Sequence, residues 1–135
     1  YMYSINIAFV NVIGIKVYSM SYIKKTILLD LDGVINEYTE GFRQDYIPPV
    51  KNGAENFLIN LSQKFKIKLF TTREHSMVKT WLISNGLDKY FSGITNIKEL
   101  CWLIIDDRCI RFNGDYDELF SDIVNFQVWH EKKEH

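Results

Sequence analysis

At 135 residues, 47% of them hydrophobic and 15% aromatic, the chain has enough apolar material for a single core and too much for a disordered segment. A formal net charge of −1, with no block of like charge, excludes a basic nucleic-acid footprint and an acidic tail. Two cysteines, Cys101 and Cys109, fit neither metal-ligand spacing nor a disulfide framework; Cys101 opens an apolar run and reads as a buried thiol, which suits a reducing cytoplasm.

Residues 1–19, "YMYSINIAFVNVIGIKVYS", are apolar but interrupted by Asn6, Asn11, Gly14 and Lys16. They are too short and too broken for a membrane span, and they lack the basic start and small-residue cleavage site of a secretory signal. From Met20 the chain reads like a natural beginning, so 1–19 are taken as an extension rather than an anchor or an added strand, and 20–135 as the domain. "TILLDL" from Thr26 is a continuous apolar strand of the kind buried on both faces in parallel sheets. Residues 33–50 are irregular and end in Pro48-Pro49, which cannot continue a helix. Ala54, Phe57, Leu58, Leu61 and Phe65 then recur at helical spacing. "KIKLFTT" (66–72) is a second strand. Residues 74–85 carry Met77, Val78, Trp81 and Leu82 on one side and stop at Asn85-Gly86, a left-handed helix end. "SGITNI" (92–97) is a weak strand and "CWLIID" (101–106) a strong one. Asp115 followed by Glu118 resembles a capping box, with Leu119, Phe120, Ile123 and Val124 behind it. This order predicts an α/β fold: a Rossmann-like three-layer sandwich with a mainly parallel sheet and helices on both faces.

In such sheets ligands bind beyond the carboxyl ends of the strands. Three strands end there in polar groups: Asp30 and Asp32, then Thr71, Thr72 and Arg73, then Asp106 and Asp107, with Lys98 before the last strand. Four converging carboxylates without a cation would repel one another and raise their pKa values. A hard divalent ion removes that conflict, and Mg²⁺ takes one or two carboxylates, a carbonyl and waters. The expected metal set is therefore Asp30, Asp32, Asp106 and Asp107.

"DLDGV", "LFTTR", a lysine and "LIIDDR", in that order, resemble the four motifs of the haloacid dehalogenase superfamily of phosphohydrolases. The resemblance covers about residues 24–126. It implies that Asp30 is the nucleophile that forms an aspartyl-phosphate, and that Asp32 protonates the leaving group and then activates water. Thr71 would hydrogen-bond the phosphoryl oxygens, with Thr72 beside it in the substrate site. Lys98 best matches the lysine that neutralises charge, with Lys79 as its competitor on a helix. Asp106 and Asp107 would complete the metal site, Asp107 as direct ligand and Asp106 orienting Lys98 or a metal water. The "TTRE…IDDR" pairing is also similar to the phosphatase domain of phage-type polynucleotide kinases, which suggests Arg73 as a phosphate contact.

The intervals between motifs leave no room for a large cap domain, so the site is expected to be open unless a neighbouring subunit covers it. The substrate is then a macromolecular phosphomonoester, such as a nucleic-acid end or a phosphoprotein, or a small one enclosed by a homo-oligomer; the neutral charge argues mildly against tight polynucleotide binding. A receiver-type signalling domain uses similar residues in another order, and a non-catalytic binding domain could keep the fold. A dehalogenase does not need Asp32, and a phosphonate-cleaving relative would want a cap lysine. His75, His130 and His135 show no ligand spacing and read as surface or helix-start residues; Trp81, Trp102 and Trp129 read as core or rim packing.

Overall fold

The computed structural model describes residues 5–12 and 15–131. Strands β1 (Ile5–Val12) and β2 (Ile15–Tyr22) pair antiparallel, from Ile5 opposite Tyr22 to Val12 opposite Ile15. Among the described residues this pair forms its own two-stranded sheet and extends neither edge of the larger one. The boundary read at Met20 falls inside β2, where the backbone of Met20 is paired with that of Ile7. Residues 1–4, 13 and 14 of the presumed extension lie outside the described residues, as does His135.

The rest is an α/β arrangement consistent with a Rossmann-like fold. Four parallel strands, β3 (Thr26–Asp30), β4 (Lys66–Phe70), β5 (Ile94–Thr95) and β6 (Leu103–Ile105), lie in the order β5-β4-β3-β6. The chain steps outward from β3 to β5 and then returns to the opposite side of β3. The reversal creates a topological switch point between β3 and β6, the position where open α/β sheets leave a crevice. The apolar run Ile27-Leu28-Leu29 explains why β3 is central: all three residues are buried, as a strand covered on both faces requires.

Helices α1 (Ala54–Lys64) and α2 (His75–Ser84) form the crossovers β3–α1–β4 and β4–α2–β5. Right-handed crossovers stepping in the same direction place both helices on one face. There Leu58 of α1 and Val78 and Leu82 of α2 join Leu29, Ile67 and Leu69 of the sheet in one core. The predicted stripe on α1 is only partly buried: Ala54 and Leu58 are inside, whereas Phe57 is 42% exposed. Helix α2 ends as expected. Gly86 (φ +67°) lets its N–H reach Ile83 O (3.0 Å) and the Leu87 N–H reach Leu82 O (2.9 Å), while Leu82 and Leu87 are both buried.

At the start of α2, Glu74 accepts hydrogen bonds from the N–H groups of Ser76 (3.0 Å) and Met77 (2.8 Å). The Ser76 hydroxyl, which also donates to this carboxylate, and these two backbone bonds hold its carboxyl down at about 2 against an ordinary 4.5. A depressed acid adds stability above its unfolded value that is lost as pH falls through the folded one. Glu74→Ala is therefore expected to lower the melting temperature at pH 7, with the gap to the native protein narrowing from pH 4.5 toward pH 2. Melting curves across that range check it; a gap that does not depend on pH would contradict it.

Helix α3 (Tyr116–Val124) corrects two expectations. Asp115 caps it, accepting from the Asp117 and Glu118 N–H groups, but Glu118 turns to the Asn113 side chain instead of closing a capping box. It also buries none of its residues: Phe120 is 70% exposed and Val124 67%. Local capping suffices to form the helix, so its apolar side does not become a second packed layer on the sheet. Cys101 is a further correction. It precedes the short strand β6 and is half-buried, because the strand forms only at Leu103. No described helix is long and apolar enough to cross a membrane.

Candidate functional site

Parallel register brings the acids together. Leu29 pairs with Ile105, so Asp30 and Asp106 leave adjacent strands at the same level. Carboxylate oxygens of Asp30, Asp106 and Asp107 lie within 4.8 Å of one another, and all three residues are half-buried. The cleft around them, about 290 Å³, is lined also by Asp32, Thr71, Thr72, Tyr38, Phe42 and Arg108. Burial, and next the charge of Asp106, push the Asp30 carboxyl up to about 7, although the Leu31 N–H favours its charged form; Asp32 and Asp107 raise it further. The acidic field reaches Cys109, whose thiol is pushed up by partial burial and then by Asp106.

The triad is an all-oxygen donor set with more negative charge than its surroundings neutralise. Asp30, Asp106 and Asp107 are thus the described residues that could hold a hard cation. The fourth acid, Asp32, is occupied elsewhere. Its Oδ2 accepts from Arg73 Nε (2.8 Å) and its Oδ1 from Asn36 Nδ2 (2.9 Å). Asn36, fully buried, also accepts from the Gly33 N–H (3.0 Å) and so shapes the turn that carries Asp32.

Arg73 lies beneath the irregular segment that follows β3, its side chain only 1% exposed. Nη1 donates to the carbonyls of Arg43 (2.7 Å) and Tyr46 (3.0 Å), and the guanidinium stacks 4.6 Å from the Phe42 ring centre. Nη2 is buried with no partner among the described residues. Arg73 thus ties residues 42–46 to Asp32 and is not one of the cleft-lining residues. Thr71 is buried and accepts from the Arg73 N–H (3.2 Å); Thr72 is exposed. Lys98 is exposed, lines no part of the cleft, and makes no hydrogen bond or ion pair among the described residues; Lys79 is exposed on α2.

One residue reverses its sequence reading. His130 is not a surface residue: its side chain is 4% exposed and Nε2 donates to Asp107 Oδ2 (2.6 Å). No spacing signal could have found it, because its partner is 23 residues away with α3 between them. Tyr38 and Phe42 likewise reach the cleft only through tertiary structure, whereas Asn36 is three and four residues from its partners Gly33 and Asp32 and Arg108 belongs to "IDDR". His75 is exposed as expected. Trp81 packs on the core, and Trp102 and Trp129 lie at the rim, each about half exposed.

No family model, no curated protein and no solved structure matches the chain.

Proposed function

We propose that the protein is a Mg²⁺-dependent phosphomonoester hydrolase of the haloacid dehalogenase type, without a large cap, acting through an aspartyl-phosphate on Asp30. The observation that carries this reading is the convergence of Asp30, Asp106 and Asp107 at the switch point, with Thr71 and Thr72 on the neighbouring strand end. When bound, Mg²⁺ would neutralise charge on the triad and on the phosphoryl oxygens.

The Asp30 carboxylate attacks phosphorus, and the bond from phosphorus to the ester oxygen breaks. Asp32 gives its proton to the departing oxygen. It then takes a proton from the water that attacks the aspartyl-phosphate, which releases inorganic phosphate and restores Asp30. Each Asp32 oxygen accepts one hydrogen bond, from Asn36 and from Arg73, which leaves a second lone pair on each to carry the proton. Asp32→Asn is expected to slow hydrolysis by roughly 10²–10⁴-fold. The two free cysteines, Cys109 exposed, fit a reducing cytoplasmic compartment.

Purified protein assayed on p-nitrophenyl phosphate and on a panel including phosphorylated DNA and RNA ends tests the reaction. Hydrolysis should require Mg²⁺, stop on chelation and resume on its return. Asp107→Ala should raise the Mg²⁺ concentration needed for half-maximal rate more than Asp106→Ala, as the motif resemblance implies for the direct ligand. Undiminished rates after exhaustive chelation would contradict the metal. An aspartyl-phosphate lasting hours would point instead to a signalling domain.

A further inference from the structure

Beyond α3 the chain returns to the switch point and does something the proposed chemistry leaves unused. Val128 is buried, and Trp129 Nε1 donates to the carbonyl of Gly33 (2.9 Å), which lies in the turn right after Asp32. The next residue, His130, reaches Asp107 Oδ2. The Tyr38 and Trp129 rings stand nearly perpendicular to the imidazole at 5.3 and 5.2 Å between centroids, packing that restricts its plane. Lys51 Nζ sits 4.2 Å from the Trp129 ring centre.

Gly33 makes the approach possible. It has φ +79°, and a Cβ there would come within 2.4 Å of Asp107 Oδ2 and 3.1 Å of His130 Nε2. Only a residue with no side chain lets this hydrogen-bonded pair rest against the turn. A glycine in the first motif, a tryptophan bond to its carbonyl and an enclosed histidine therefore meet at one carboxylate oxygen.

We propose that Trp129 and His130 form a clamp that positions Asp107 for cation binding. His130 occupies Oδ2 and fixes the carboxylate plane, which leaves Oδ1 to the cation; Trp129 holds the Asp32–Gly33 turn at the matching height. Carboxylate ligands are commonly oriented by such outer partners, whose loss costs about 10–100-fold in metal affinity or activity. The clamp rests on the reading of Asp30, Asp106 and Asp107 as a cation site. Both residues are positioning residues, since neither is assigned a contact with substrate.

The test is Mn²⁺ binding, followed by the electron paramagnetic resonance of the free ion, on the full chain. His130→Ala should weaken binding about 10–100-fold, and His130→Gln, whose amide nitrogen can replace Nε2, should recover most of it. At saturating Mn²⁺ the kcat of His130→Ala on p-nitrophenyl phosphate should return to within a few fold of native, which a general loss of structure would not allow. Native Mn²⁺ affinity in His130→Ala, with binding lost in Asp107→Asn, overturns the clamp and leaves the cation site standing. No Mn²⁺ binding by the native protein overturns both. Should His130→Ala fail to fold, Trp129→Phe carries the test: it removes the bond to Gly33 and keeps an aromatic ring beside His130 and Lys51, so weakened binding supports the clamp and native binding overturns it.

Discussion

Asp30→Asn is expected to lose phosphomonoester hydrolysis by on the order of 10⁴-fold or more, and yet to melt at a higher temperature than the native protein at pH 8 without divalent cations. An amide is a poor nucleophile, hence the first effect. The second follows from burial and from the charge of Asp106, which raise the Asp30 carboxyl from 3.8 to about 7. Between those values the folded protein holds a proton that the unfolded chain has released. The contribution of Asp30 is therefore complete below about pH 3.8 and is lost as pH rises through about 7. At about 1.4 kcal/mol per pH unit, the native protein gives up a few kcal/mol by pH 8. Asparagine has no charge to desolvate, so the variant escapes that loss. Metal-free melting curves check the sign: the advantage of Asp30→Asn should be several degrees at pH 8 and vanish near pH 4. For the same reason, adding Mg²⁺ at pH 8 should raise the melting temperature of the native protein more than that of the variant. A variant that hydrolyses at the native rate would remove Asp30 as nucleophile; one that melts lower at every pH would remove the electrostatic account of the triad.

Arg73→Met is expected to cost about 3–5 kcal/mol of stability, the scale for removing one partner of a buried ion pair. Three losses coincide: Asp32 loses its partner at 2.8 Å, the carbonyls of Arg43 and Tyr46 lose their donor, and Phe42 loses the guanidinium on its face. The midpoint of urea unfolding measures the cost, and limited proteolysis between residues 38 and 47 reports release of the segment. Because Asp32 and Arg73 share one interaction, the double variant Asp32→Leu/Arg73→Met should lose less than the sum of the single losses. A loss below about 1 kcal/mol with residues 38–47 still protected would mean that Arg73 does not anchor them.

Much of the fold was legible because its signals are short-range. The end of α2 could be read from Asn85-Gly86, since a left-handed glycine and two nearby N–H groups complete it. The burial of β3 on both faces could be read from Ile27-Leu28-Leu29. The stripe of α3 was as clear as that of α2, yet it is uncovered. Periodicity shows that a helix has an apolar side; it does not show what covers that side.

The candidate site divides along the same line. Sequence by itself determined which acids end which strands, because alternating buried strands and turns are written in consecutive residues. Tertiary structure alone decided how the acids are arranged. Register at the switch point gathers Asp30, Asp106 and Asp107. Arg73, 41 residues from Asp32, draws that acid away from the triad, and Trp129, 96 residues from Gly33, brings His130 onto Asp107. Lys98, by contrast, stays in solvent. A local pattern is fixed by neighbours within a turn or a strand, whereas a hydrogen bond between distant residues exists only once the whole chain has closed the loops between them.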